Sequence, residues 1–308
     1  MLKIRRRSSR WRDEIAAMDA HEDCHDIIML LGNRVFPMDL LIATEIAQLR
    51  TFTIPTIAKL LHQTRQFENE GQKRLDDTKA LLSEIIVNRP DSERGKEYVE
   101  HLNKIHGFYK ISNDDYLYTL STFVFDGKMW LERFGWRQYT EHEHEAVFQF
   151  YKQLGEAMKI QEIPESIEAF WAWRCEYEER AAAFSPANKQ VALGLLESAR
   201  RELPWLIRPI FIPATSALLD DDFRDLLGLK KPSALLRAGV SLAMKVRKAL
   251  LTRFTIWDDI WFWDTAFFNT YPTYPSGYKV TQLGPKKVLD FLARQGERAE
   301  ENKEARSA

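Results

Sequence analysis

An all-α fold follows from three features of the 308-residue chain. Apolar positions recur at helical spacing almost without interruption, glycine is sparse at 13, and no alternating β-branched runs joined by hairpin turns occur. With 45% hydrophobic residues the chain can bury a sizeable core. The expected architecture is one large multi-helix bundle domain over 12–298, preceded by a basic tail at 1–11 and followed by a disordered tail at 299–308.

Taken in order, the spacing predicts helices at 12–32, 37–51, 55–65, 70–88, 92–110, 113–134, 140–159, 164–184, 186–201, 204–218, 232–253, 255–270 and 284–298. Pro37, Pro55, Pro164, Pro186, Pro204, Pro232 and Pro285 stand where first-turn prolines would, since a helix start has no use for their missing N–H. Ser112 or Asn113 caps the helix at 113–134, and Asp114 and Asp115 favour its positive end. Thr140 with Glu143 three residues on reads as a capping box. Segment 271–285 is the one long loop, and its tyrosines and prolines suggest a clasp that packs over something.

Charges nearly cancel, with 44 Lys+Arg against 45 Asp+Glu, so no global field argues for nucleic acid. Cys24 and Cys175 cannot build a disulfide framework, a four-thiolate zinc site or a haem-attachment motif. The basic N-terminus leads into charged residues rather than an apolar run, and no stretch reaches the roughly 18 uncharged residues of a membrane span. The expectation is a cytoplasmic chain. Its basic amphipathic segment at 230–253 is a candidate for peripheral contact with an anionic membrane, or is simply a surface helix with a wet basic side. Trp257, Trp261, Phe262, Trp263, Phe267 and Phe268 either close the core or line an apolar channel.

One helix stripe carries the chemistry. Val99, Leu102, Ile105, His106 and Tyr109 recur at three- and four-residue spacing, so His106 lies on an apolar face, whereas His101 points about 140° away. A core histidine satisfied by backbone or water would explain His106 alone. In the preceding helix, however, Arg74 and Thr78 continue into Leu81, Leu82 and Ile85 on the face expected to be buried. A buried guanidinium demands an anion, and Asp77 is on the neighbouring face. A carboxylate from another helix or an anionic group of a ligand must answer it. A buried His, a buried Arg with a Thr one turn on, and aromatic walls suit a b-type haem.

Two further clusters have metal-ligand residue types. His21-Glu22-Asp23-Cys24-His25 matches H-E-x-x-H, the signature of a zinc metallopeptidase, but lacks the strand that would align a peptide. Glu141-His142-Glu143-His144 places adjacent side chains in different directions, so they cannot all hold one ion.

Several segments resemble the MpaB and rubber oxygenase (latex clearing protein) family: RTFTIPTIAKLLHQTRQF at 50–67, KRLDDT at 73–78, LNKIHGFYKISNDDYLYTLSTFVF at 102–125, WLERFGWRQYTEHE at 130–143 and LGEAMKIQEIP at 154–164. The likeness spans roughly residues 20–285. It implies an all-helical haem b oxygenase domain that uses dioxygen to cleave a carbon–carbon double bond in an isoprenoid or lipid-like substrate. The family's axial histidine falls on His106, and its Arg-x-x-x-Thr pair beside the haem falls on Arg74 and Thr78. For the glutamate base of the rubber-cleaving members, Glu45 and Glu68 are the candidates. A non-catalytic helical protein that binds lipid or haem is the alternative.

Overall fold

The computed structural model describes residues 3–307, with side chains described for 3–298. Fifteen α-helices follow one another: α1 Arg10–Ala16, α2 Cys24–Leu30, α3 Pro37–Thr51, α4 Pro55–Thr64, α5 Gln66–Asn69, α6 Gly71–Asn88, α7 Glu93–Gly107, α8 Asn113–Phe134, α9 Glu141–Ala157, α10 Ile167–Ala181, α11 Pro186–Glu202, α12 Arg208–Leu218, α13 Asp221–Leu226, α14 Ala234–Arg253 and α15 Lys286–Ser307. The sheet content is one pair of two-residue strands, β1 Arg5–Arg6 antiparallel to β2 Phe254–Thr255.

The longest inner helix, α8, is buried on several faces by Leu117, Tyr118, Leu120, Val124 and Phe125. It packs along α3, α9 and α10, while α2 lies on α9, α6 on α7, and α11 across α4, α5 and α6. Local chemistry sets the helix starts as expected in α8 and α9. Ser112 accepts from Asp115 N, and Thr140 and Glu143 form the full capping box, with Glu143 also gripped by both terminal nitrogens of Arg137 at 2.6 Å. Pro37, Pro55 and Pro186 open α3, α4 and α11. Pro164 and Pro232 lie outside their helices, because Ser166 and Ser233 take the capping positions instead.

Four expectations need correction. The helix at 12–32 is broken: α1 ends at Ala16, a turn held by Asp19 carboxylate bonds to the amides of His21 and Glu22 follows, and α2 runs into a π-turn at Leu31–Val35. Segment 255–270 is not a helix. Arg34 donates to the carbonyls of Trp257 and Asp258, and Asn33 accepts from Trp263 N, so long-range bonds hold it as turns around a short 3₁₀ piece at Phe262–Asp264. The 1–11 tail is tied down among its described residues, since β1 pairs with β2 and Trp11 donates to Asp258. The 299–308 tail continues α15 as far as Ser307, consistent with a run rich in Ala, Glu, Lys and Arg.

The aromatic run at 257–268 closes the core at this end. Phe262 is buried, and the Trp263 ring lies against Gly32 of the π-turn. The 271–285 loop is a clasp over α6 and α7. Tyr274 donates to Asp77 at 2.5 Å, Thr273 N donates to Asp76, Lys73 reaches the Gly284 carbonyl at 2.8 Å, and His101 Nε2 meets the Leu283 carbonyl at 2.7 Å.

Candidate active site

The α6–α7 pair carries the site. Ser92 caps α7 by accepting from Gly95 N, and Gly95 allows the turn from α6 to close tightly, because a Cβ there would sit 1.7 Å from the Arg89 carbonyl oxygen. From this start the 3.6-residue period turns Tyr98, Val99 and Ile105 into the core. His101 and His106 then diverge as their phase requires. His101 faces the clasp, and His106 faces the bundle interior.

His106 Nδ1 is buried without a hydrogen-bond partner. Burial, reinforced by the nearby Arg74 guanidinium, pushes the imidazole down to about 4. It is therefore neutral at pH 7, with a lone pair available to a metal. The Tyr116 ring of α8 packs on it at 5.5 Å between centroids. A core histidine satisfied by backbone is thus not what the structure contains.

Arg74 lies across from it. Its guanidinium donates to Thr78 Oγ1, and Thr78 donates in turn to the Arg74 carbonyl at 2.8 Å, so the two side chains lock each other one turn apart. The Phe67 ring lies 5.2 Å beneath the guanidinium. Desolvation holds its pKa below the usual arginine range, opposed by Asp77 and Tyr109. Asp77 is committed to Lys73 and Tyr274, and among the described residues no carboxylate comes within salt-bridge distance of Arg74. The interhelical salt bridge is thus absent among the described residues.

Glu45 of α3 separates from Glu68. Desolvation, with help from Glu202 and against Lys79, pushes the Glu45 carboxyl up to about 7. Glu68 instead takes a 2.5 Å bond from His62 Nδ1 and serves the α4–α5 turn. Glu45, Arg74, Thr78, His106, Tyr116, Phe123 and Tyr151 are strongly enclosed or centrally placed, yet each keeps some accessible surface. Side chains of that kind border an internal space rather than fill a core. Of these, His106 of α7 has the Arg74 guanidinium of α6 and the Tyr116 ring of α8 as neighbours. Phe123 and Tyr151 stack at 5.2 Å, and burial raises the Tyr116 and Tyr151 hydroxyls.

The rival metal clusters do not assemble. His21 stands exposed in the turn before α2, while His25 is buried with Nε2 on the Ile86 carbonyl at 2.8 Å, so the H-E-x-x-H histidines share neither a helix nor a site. His144 Nε2 is near the Val124 carbonyl at 3.3 Å, and Glu143 belongs to Arg137. Asp115, accepting from Thr56 and Tyr177 at 2.7 Å each, is a structural acid. Sequence reasoning could name Glu45 only by resemblance, because its distinguishing neighbours Glu202 and Lys79 come from α11 and α6.

Comparison with known proteins bears on the family of the chain. Residues 36–249 match the family described as ER-bound oxygenase mpaB/B'/Rubber oxygenase, catalytic domain. The chain is 32% identical over 258 residues to ER-bound oxygenase mpaB' of Penicillium brevicompactum, covering 78% of this chain and 61% of that protein. It is 30% identical over 231 residues to ER-bound oxygenase mpaB of Penicillium roqueforti, covering 69% and 77%. It is 33% identical over 214 residues to ER-bound oxygenase mpaB of Penicillium brevicompactum, covering 63% and 54%. The chain thus spans less than two thirds of two of these relatives. The matched segment holds α3 to α13 and most of α14, and with them Glu45, Arg74, Thr78, His106 and Tyr116. The chain belongs to the mpaB/rubber oxygenase catalytic-domain family.

Proposed function

We propose that this chain is a haem b-dependent oxygenase that uses dioxygen to oxidise or cleave a carbon–carbon double bond in an isoprenoid or other lipid-like molecule. The observation that carries this reading is the unpartnered, neutral imidazole of His106 facing the same space as an Arg74 guanidinium that has no carboxylate. A porphyrin would meet both needs, with His106 holding the iron and Arg74 offering N–H donors to an anionic group in the pocket. When bound, the haem supplies the activation of dioxygen.

The chain's own residues do the rest. Thr78 fixes the Arg74 fork in one rotamer through their mutual hydrogen bonds. Tyr116, Phe123 and Tyr151 exclude water and offer apolar walls to a hydrocarbon chain. Glu45, with its carboxyl near 7, can take a proton from the substrate at a carboxylate oxygen, or return one, at neutral pH. The relatives are named ER-bound, which supports membrane association here. No single described helix is long and apolar enough to cross a bilayer, and the bent pair Cys24–Val35 with Pro37–Thr51, at 107°, passes that test by length and composition alone.

The test is a visible spectrum after expression with a haem supply. A Soret band is expected from the wild type, none from His106→Ala, and a roughly tenfold or greater loss of haem affinity from Arg74→Gln, in line with a charged hydrogen bond. Full haem occupancy in His106→Ala would overturn the assignment. Oxygen uptake with a polyprenyl substrate then separates an oxygenase from a protein that merely binds haem or lipid.

A further inference from the structure

α14 is apolar on the wrong side. At 100° per residue, Leu236, Val240, Met244 and Leu251 face one way, and Met244 packs on the core formed around α2, α3 and α9. Arg247 also points inward and pairs with buried Asp39 at 2.8 Å. A second face, about 125° round the helix, carries Leu235, Leu242, Val246 and Leu250, exposed by 85%, 63%, 50% and 55%. No residue of α14 is buried. Beside the basic side that the sequence predicts, where Lys245 and Arg253 are exposed, the helix thus also presents a stripe of hydrocarbon to the outside.

The neighbouring helix extends this surface. α12 packs on α14, and the turn leading into α12 exposes Trp205 by 74% and Leu206 by 68%. Eight of the fifteen large hydrophobic side chains exposed among the described residues lie on these two helices and that turn. A patch of this size rarely faces water without a partner.

Charge selects the partner. Segments 203–219 and 230–253 contain eight Lys and Arg residues and no Asp or Glu. Asp221, between them, engages Lys231 and Arg237, and Arg247 is taken by Asp39. Lys245 and Lys248 flank the apolar stripe and Arg253 ends it, with no ion pair among the described residues. Hydrocarbon at the centre, lysines at the edge and a tryptophan at one end match the headgroup boundary of an anionic membrane.

We propose that the outward face of α12 and α14 docks this chain on an anionic lipid bilayer, lying in its surface rather than crossing it. The inference stands without the oxygenase reading.

Flotation of the full chain with phosphatidylcholine vesicles, with and without phosphatidylserine, tests the proposal. Binding is expected with phosphatidylserine, weaker without it and weaker at high salt. Leu242→Glu with Val246→Glu, and separately Trp205→Ala with Leu206→Ala, should each reduce vesicle binding at least tenfold while circular dichroism and Tm stay unchanged, since all four side chains are exposed. Absence of binding to either vesicle, or equal binding by the variants, would overturn it. So would light scattering that showed a wild-type dimer dissociated by the Leu242→Glu/Val246→Glu pair without any vesicle binding, which would give the face to a second copy.

Discussion

Glu45 shows how one residue acquires properties that its neighbours in sequence do not predict. Its carboxyl is raised because ionisation in the enclosed space loses hydration and meets the charge of Glu202. The folded state therefore binds this proton more tightly than the unfolded chain does. The resulting stability is fully present below the ordinary carboxyl range and is lost as pH rises through about 7, amounting to on the order of 3 kcal/mol. Glu45→Gln should remove this dependence. Urea denaturation of the wild type and variant between pH 4.5 and 8 should give curves that diverge steadily with rising pH in favour of the variant, and parallel curves would show that Glu45 is ordinarily solvated. The same substitution should remove an apparent ionisation near 7 from the pH profile of kcat/KM.

At the level of elements, α7 is positioned by its two ends, and its glycines make the point testable. Gly95 has no room for a side chain, because a Cβ there would lie 1.7 Å from the Arg89 oxygen and 2.7 Å from the Arg89 carbonyl carbon. Gly107, directly after His106, would place a Cβ in open space. Thermal denaturation should therefore show Gly95→Ala losing about 2 kcal/mol or more, and Gly107→Ala staying within about 1 kcal/mol of the wild type. Equal effects would mean that the α6–α7 turn is not what fixes the histidine helix. Such elements also mark how far the sequence could be read. Helical phase sets which way His106, Arg74 and Thr78 point from α6 and α7, and Ser112 and Thr140 were legible because capping is local. Segment 255–270 was not, since its shape depends on Arg34 and Asn33, more than 200 residues earlier. Nor was the outward hydrocarbon of α14. An amphipathic pattern does not say which side meets the protein, and here buried Asp39 of α3 decided it by drawing Arg247 inward.

Across the whole molecule, the walls of the internal space are joined by a buried charge cluster remote from its chemistry. Asp126 of α8 meets Arg50 of α3 at 2.5 Å and Arg174 of α10 at 2.9 Å, the second an ion pair without hydrogen-bond alignment. Arg174 also meets Glu178, which accepts from Tyr118 of α8 at 2.9 Å, and Arg50 lies 4.4 Å from the Phe223 ring of α13. Three helices thus share one carboxylate, and two of them, α3 and α8, carry Glu45, Tyr116 and Phe123. Removing that carboxylate leaves the enclosed Arg50 guanidinium without a carboxylate and Arg174 with Glu178 alone. Asp126→Ala should lose about 3–5 kcal/mol in chemical denaturation, because an unpaired buried charge is far more costly than a pair is stabilising. Replacing all three charges, as Asp126→Leu with Arg50→Met and Arg174→Met, should recover most of that loss, since hydrocarbon of similar volume needs no counter-ion. A single-variant loss below about 1 kcal/mol would show that water reaches the cluster, and α3, α8 and α10 would then be held by their apolar contacts alone.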